Sequence, residues 1–460
     1  MFPRPFHRLR VSWLAAAALA WLPGPAAAAE GHWPQFRGPK AAGIGTRSEL
    51  PEQWSATESV AWKTAIPGRS WSSPVTWGGR VFLTTVVNSG ESEPPRKGLY
   101  FGGDRPEPPK SEHQWRILGL DLANGAVVWD RTVHRGAPKT SIHLKSSYGA
   151  ETPVTDGERI YALFGGVGVF ALTASGEPVW SHPLEPRATR YGWGTASSLV
   201  LHQRRLFLLN DNEDHAELLA LDAATGRELW RVDRDEKSNW STPFVWEHPG
   251  RTELVTTGTR AVRSYDLDGR ELWSLRGMSS IAIPTPCAGD GLLFVSSGYV
   301  GDKFRPLYAV RPGAQGDVSL KPGETTNAFV AWSDPTGGPY NPSPLYYEGR
   351  LYVLFDRGLL SALDANTGKI LYDRERLPDG FAFTASPWAA GGRIYCLNEE
   401  GACYVVRAGD RFELLRINRL SDDDMCMATP AIAGNRLLIR TASRLYCVQA
   451  SATTREAGKP

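Results

Sequence analysis

A four-residue word, a variable pair followed by Ser/Thr-Pro, recurs along this chain and restricts its fold more than any other feature. It reads Trp71-Ser-Ser-Pro74, Ala150-Glu-Thr-Pro153, Trp193-Gly-Thr-Ala196, Trp240-Ser-Thr-Pro243, Ile283-Pro-Thr-Pro286, Asn341-Pro-Ser-Pro344, Thr384-Ala-Ser-Pro387 and Met427-Ala-Thr-Pro430. Successive copies lie 79, 43, 47, 43, 58, 43 and 43 residues apart, so the period is 43 with insertions in the first and fifth units. A fixed period of this length marks stacked supersecondary units that cannot bury a core alone. A second word follows about thirty residues into most units, clearest as Leu221-Asp-Ala-Ala-Thr-Gly-Arg-Glu-Leu-Trp230. Its relatives carry Trp129, Trp180, Trp273 and Tyr372 four residues after a glycine, and the interrupted fifth unit recovers at Trp332.

The chemistry inside a unit reads as four antiparallel strands. Proline opens the first strand, where a missing N–H costs no ladder bond. Gly78-Gly79-Arg80 or Glu348-Gly349-Arg350 turns the chain into a β-branched and aromatic run such as Val81-Phe-Leu-Thr-Thr-Val86. A third strand ends in Leu-Asp, the Asp-x-x-Gly segment turns, and a fourth strand brings in the aromatic residue. Four strands per 43 residues predict an all-β, eight-bladed propeller. Its 17 tryptophans supply the plugs between blades: Trp62, Trp129, Trp180, Trp230, Trp273, Trp332 and Tyr372, each burying on the order of 200 Å². The eighth unit has only three strands. Val60-Ala-Trp62 resembles Val330-Ala-Trp332, so the N-terminal strand is expected to complete the last blade and remove the open edge.

Residues 58–449 form the expected propeller, preceded by an extended segment at 30–57 and followed by a polar tail at 450–460. Residues 1–29 read as a cleavable export signal. Arg4, Arg8 and Arg10 precede the apolar run Val11 to Leu22, which is too short to span a bilayer, and Ala27-Ala28-Ala29 offers a cleavage site. No cysteine follows that run, so the expectation is a periplasmic or secreted protein without a lipid anchor. Losing those three arginines takes the formal charge from +2 to −1, which gives no footprint for nucleic acid. The five cysteines leave at least one unpaired. Cys396 and Cys403 flank a turn where a cross-strand disulfide is conceivable, and the alternative is five small buried apolar residues.

The two words resemble the pyrroloquinoline-quinone (PQQ) repeat, whose tryptophan-docking sequence is Ala-x-Asp-x-x-Thr-Gly-x-x-x-Trp. Ala220 to Trp230 matches it fully, and Ala362 to Tyr372 matches with one change. Trp33-Pro-Gln-Phe-Arg-Gly-Pro39 is similar to the start of exported PQQ-like propellers. The resemblance implies one of two classes: quinoprotein alcohol dehydrogenases holding PQQ and calcium, or non-catalytic binders of the BamB type. The dehydrogenases carry adjacent cysteines and extra elements around the cofactor, and this chain has no Cys-Cys pair. BamB-like propellers are lipid-anchored, and this chain lacks the cysteine.

In such a propeller the residues before each Ser/Thr-Pro ring the channel mouth on the loop-rich face. The candidates are Trp71, Tyr148, Glu151, Trp193, Trp240, Tyr340, Asn341 and Phe383, with Asp424 from the acidic run Asp422–Asp424. Their aromatic rings either stack on a ligand or peptide, or pack between blades. The proline-rich insertion from Asn88 to His113 is expected over the same face, beside a basic loop that includes His143 and Lys145. Glu151, Asn341 and the Asp422–Asp424 run are the oxygen set that calcium under a quinone would need. Asn210 to Asp214 is oxygen-rich but reads as a hairpin loop, and no catalytic motif is present. The reading is a monomeric, non-catalytic propeller, with no catalytic residue and no metal or cofactor. It binds a protein or other macromolecule, and neither nucleic acid nor a membrane span is involved. A PQQ- and calcium-dependent dehydrogenase is the alternative.

Overall fold

Proline opens seven of the eight inner strands, and the hydroxyl before it has a separate task. In the computed structural model, which describes Met1 and residues 31–45, 50–91, 94–101, 107–420 and 424–450, these hydroxyls link blade to blade. The Ser73 N–H donates to Thr152 Oγ1 at 3.0 Å, Thr152 to Ser198 at 2.9 Å, and Ser198 to Thr242 at 3.1 Å. The series continues Thr242 to Thr285, Thr285 to Ser343, Ser343 to Ser386 and Ser386 to Thr429, at 3.0–3.2 Å. Each link satisfies a buried N–H that has no ladder partner, at about 0.5–1.5 kcal/mol. The ring corrects the third copy of the word. Its hydroxyl is Ser198, not Thr195, and Leu199 stands where the other copies have proline.

Eight sheets result, each holding one four-stranded antiparallel blade. Blade 1 runs Val75–Trp77, Arg80–Asn88, His113–Asp121 and Val127–Gly136 from the axis outward. Blade 8 has Ala431–Ala433, Arg436–Arg440 and Arg444–Gln449, and Val60–Ala65 pairs antiparallel with the last of these, Trp62 opposite Cys447. The N-terminal strand therefore closes the ring. The only helices among the described residues are the short turns Pro39–Ala41 and Arg190–Gly192. The expected export signal, Asp422, Asp423 and residues 451–460 lie outside the described residues.

The second word docks one blade on the next. Asp222 Oδ1 accepts the Thr225 N–H and hydroxyl, both at 2.8 Å, which fixes the turn and holds the Asp222 carboxyl below its ordinary range. Gly226 follows at φ 72°, and a β-carbon there would lie 2.4 Å from the Trp180 ring of blade 2. Gly125 stands under Trp62 in the same way. The indole N–H of each docked tryptophan donates to a carbonyl of the next blade: Trp62 to Leu122, Trp129 to Ala174, Trp180 to Ala223, Trp230 to Leu267 and Trp332 to Ala365, at 2.9–3.1 Å. Trp273 departs from the pattern. Its N–H donates to Glu253 of its own blade at 2.6 Å, because the interrupted fifth unit offers no docking glycine. Gly316–Asp317 from that insertion pairs parallel with Glu271–Arg276 instead. Tyr372 is buried against Phe412 at 5.9 Å, and its hydroxyl meets no protein partner.

All five cysteines are free and buried. The register sets Leu397 opposite Cys403 and Cys396 opposite Tyr404, so the two thiols enter different inter-blade cores and the conceivable disulfide does not form.

Candidate functional site

The inner strands leave an axial channel, and both of its ends are crossed by chain. At the end of the first turns, residues 31–45 span the axis. Trp33 exchanges backbone bonds with Thr76 of blade 1 at 2.8 and 3.1 Å, and Pro34 O accepts the Thr155 N–H of blade 2. Lys40 reaches Glu247 of blade 4 at 3.5 Å. Arg37 Nη2 donates to Pro344 O of blade 6 at 2.7 Å, and Ile44–Gly45 pairs parallel with Trp388–Ala390 of blade 7.

At the loop-rich end, the insertion from blade 1 crosses the mouth. The Gly98 N–H donates to Glu399 of blade 7 at 2.9 Å. Lys145 of the basic loop donates to Gly98 O at 2.7 Å and forms an ion pair with the same Glu399. Glu399 is fully buried and also accepts the Thr384 hydroxyl at 2.7 Å. A buried pair of this kind is costly to break from one side, because the survivor is left charged and unpaired. His143 Nε2–H donates to Phe101 O at 3.0 Å, and the Phe101 ring lies 5.2 Å from Tyr191 and 5.4 Å from Trp193 of the blade 3 entry loop. Under the insertion runs a groove of about 990 Å³ lined by Arg69, Pro94, Lys97, Tyr148, Met425 and Ser443 among others.

The predicted mouth residues divide into three groups. Trp193 and Trp240, 5.9 Å apart, form an aromatic cluster with Phe101, Tyr191 and His143, in which Phe101 and Tyr191 are exposed. Trp71 and Tyr148 hold the basic loop: the Trp71 indole donates to Lys145 O at 2.7 Å and the Tyr148 hydroxyl to Thr140 O at 2.8 Å. Tyr340 lies 5.5 Å from Tyr299, and Asn341 beside it is half-buried. Phe383 is a correction. It is fully buried in the core between blades 6 and 7, 5.7 Å from Tyr404, and faces no channel. Asp424 lines the groove and is also engaged within blade 8. It accepts the Thr441 hydroxyl at 2.5 Å and the Ser443 hydroxyl at 2.7 Å.

Glu151 is buried, and burial pushes its carboxyl up to about 7. Oε1 accepts the Thr195 hydroxyl at 2.5 Å and the Gly165 N–H at 3.2 Å, while Oε2 meets no protein donor. The oxygen set needed for calcium under a quinone is not assembled. Glu151, Asn341 and Asp424 belong to blades 2, 6 and 8, and Asp424 is already used by Thr441 and Ser443. Among the described residues, no three His, Cys, Asp or Glu side chains are grouped to hold a metal ion. The described residues do not fit that cofactor.

Sequence spacing did not find Glu399, which stands 254 residues from Lys145 in what reads as an ordinary turn. It also missed Phe101 and Tyr191, whose exposure follows only from the path of the insertion.

The fold and the loop-rich face define an eight-bladed propeller of the PQQ-repeat class. The profile described as outer membrane protein assembly factor BamB matches residues 45–213, 164–304 and 315–457, and the chain belongs to that family. No curated protein matches the sequence. Among solved structures, the chain is similar to BamB from Moraxella catarrhalis at 12% identity, with a TM-score of 0.51 over 80% of this chain and 98% of that one. The quinohemoprotein alcohol dehydrogenase of Comamonas testosteroni gives 12% identity and a TM-score of 0.59 over 93% and 82%. The computationally designed Ika8 protein gives 12% and 0.55 over 85% and 99%. At these identities the likeness is one of fold.

Proposed function

We propose that this chain is an exported, non-catalytic binding or scaffolding propeller that takes a protein or another macromolecule on its loop-rich face. The observation that carries this reading is the distribution of exposed large apolar side chains. Tyr100, Phe101, Tyr191, Val300, Phe304 and Phe381 stand on loops of that one face, whereas the other exposed large apolar residues of the ring, Val127, Val128, Val179 and Ile370, stand singly or in a pair on outer strands. Beside them lies the Trp193–Trp240 cluster, over a mouth tied shut by Lys145 and Glu399. Grouped exposed aromatics on a polar scaffold mark interaction sites. Membership of the BamB family supports the reading. The quinoprotein alternative has less support, because among the described residues no three His, Cys, Asp or Glu side chains are grouped to hold a metal ion and Asp424 is engaged by Thr441 and Ser443.

The test is site-specific photo-crosslinking in the exporting cell. A photoreactive residue at Tyr191 should give a discrete adduct, and one at Val179, exposed on the outer strand of blade 2, should give none. Equal adducts at both positions, or none at Tyr191 in a folded protein, would contradict the reading.

A further inference from the structure

Three buried arginines stand in the propeller core, and they differ in their partners. Arg234 is paired: Asp211 accepts its Nε at 2.8 Å and its Nη2 at 3.1 Å, and Thr256 and Tyr265 take Nη1. Arg37 and Arg440 have no carboxylate partner among the described residues. Arg37 is fully buried, donates once, to Pro344 O, and leaves Nε and Nη1 without a protein acceptor. Arg440 spends Nη1 on Ser72 O, Ser72 Oγ and Thr84 O, and leaves Nε and Nη2 without one. Pro344 follows ring hydroxyl Ser343, and Ser72 precedes ring hydroxyl Ser73. Both guanidiniums therefore lie at the level of the hydroxyl ring, one beside blade 6 and one between blades 8 and 1. Burial alone lowers Arg440, to about 9, and burial is the main cause of the lowering at Arg37.

A guanidinium removed from water without a counter-charge is strongly disfavoured. Seven of the eight ring hydroxyls, all but Ser73, accept one N–H and keep their own proton to donate. We propose that small inorganic anions, chloride in a physiological fluid, lie against the unpartnered nitrogens of the Arg37 and Arg440 guanidiniums as their counter-ions.

The test uses the whole mature protein and bromide as the probe. Crystals grown in bromide should show an anomalous peak within hydrogen-bond distance of the Arg37 or Arg440 guanidinium. The melting temperature should rise by about 2 °C per tenfold rise in chloride over gluconate at constant ionic strength. Arg37→Met, which removes the charge at similar length, should reduce that dependence, and Arg37→Met with Arg440→Met should abolish it. If the variants do not fold, the wild-type diffraction and chloride series still decide. Water alone at both guanidiniums overturns the proposal. A bromide peak with no anion dependence of stability, an adventitious ion only, overturns it as well.

Discussion

At one end of the axial channel, residues 31–45 lie in buried contact with the inner strands. At the other, the insertion at 88–113 crosses the mouth on polar bonds above a wide groove. The first closure uses backbone pairing, an apolar ring and a strained path, with Arg37, Lys40 and Ala41 at φ 60°, 54° and 51°. Such backbone persists only where the surroundings over-determine it. The second closure uses prolines, one buried ion pair and exposed aromatics. The contrast sets a rigid end against the end proposed for recognition, and it can be broken by substitution at either.

The largest effect is expected at the rigid end. Trp33 is 2% exposed with its ring on the Gly38 backbone, so Trp33→Ala should cost about 3–5 kcal/mol in denaturant unfolding. A loss below about 1 kcal/mol would remove the claim that this segment is core. Glu151 comes next and is read by pH. Its carboxyl titrates near 7 folded and near 4.5 unfolded, so folding takes up a proton between those values. Stability conferred by this site then falls as pH rises from about 4.5 to about 7. Glu151→Gln should gain on the wild type across that window, by up to about 3 kcal/mol, and hold a constant difference above it. Parallel melting curves from pH 4.5 to 8 would contradict this.

The mouth gives smaller global effects and larger local ones. Glu399→Gln leaves Lys145 without its counter-charge, and the strain is relieved when the insertion lifts. Proteolysis between residues 88 and 113 should accelerate at least tenfold, while global stability falls by about 1–3 kcal/mol. Equal loss in both readouts would make the insertion part of the core. Phe101→Ser should change stability by only about 1 kcal/mol and weaken the adduct formed by a photoreactive residue at Tyr191, 5.2 Å away in the native face.

Much of the architecture was legible because repeat spacing reports buried periodic contacts. The Asp-x-x-Thr-Gly turn, the docked tryptophans and the strand Val60–Ala65 all carry a local chemical requirement that sequence records. What was not legible depends on neighbours far along the chain. The third word was placed three residues early, since Thr195 and Ser198 both offer a hydroxyl and only the ring selects Ser198. Phe383 stands beside its repeat word as the other candidate mouth residues do, but turns into the blade 6–7 core. Trp273 has the docking spacing and lacks a glycine to dock on. The Lys145–Glu399 pair joins blades 2 and 7, and no local pattern encodes such a partner.

If recognition is confined to the loop-rich face, the channel is closed to organic ligands. Calorimetric titration of the folded mature protein with PQQ, with and without calcium, tests this most directly. No binding heat is expected in either condition. One-to-one binding that requires calcium would contradict that confinement, because a cofactor would then occupy the core that residues 31–45 and 88–113 are said to seal.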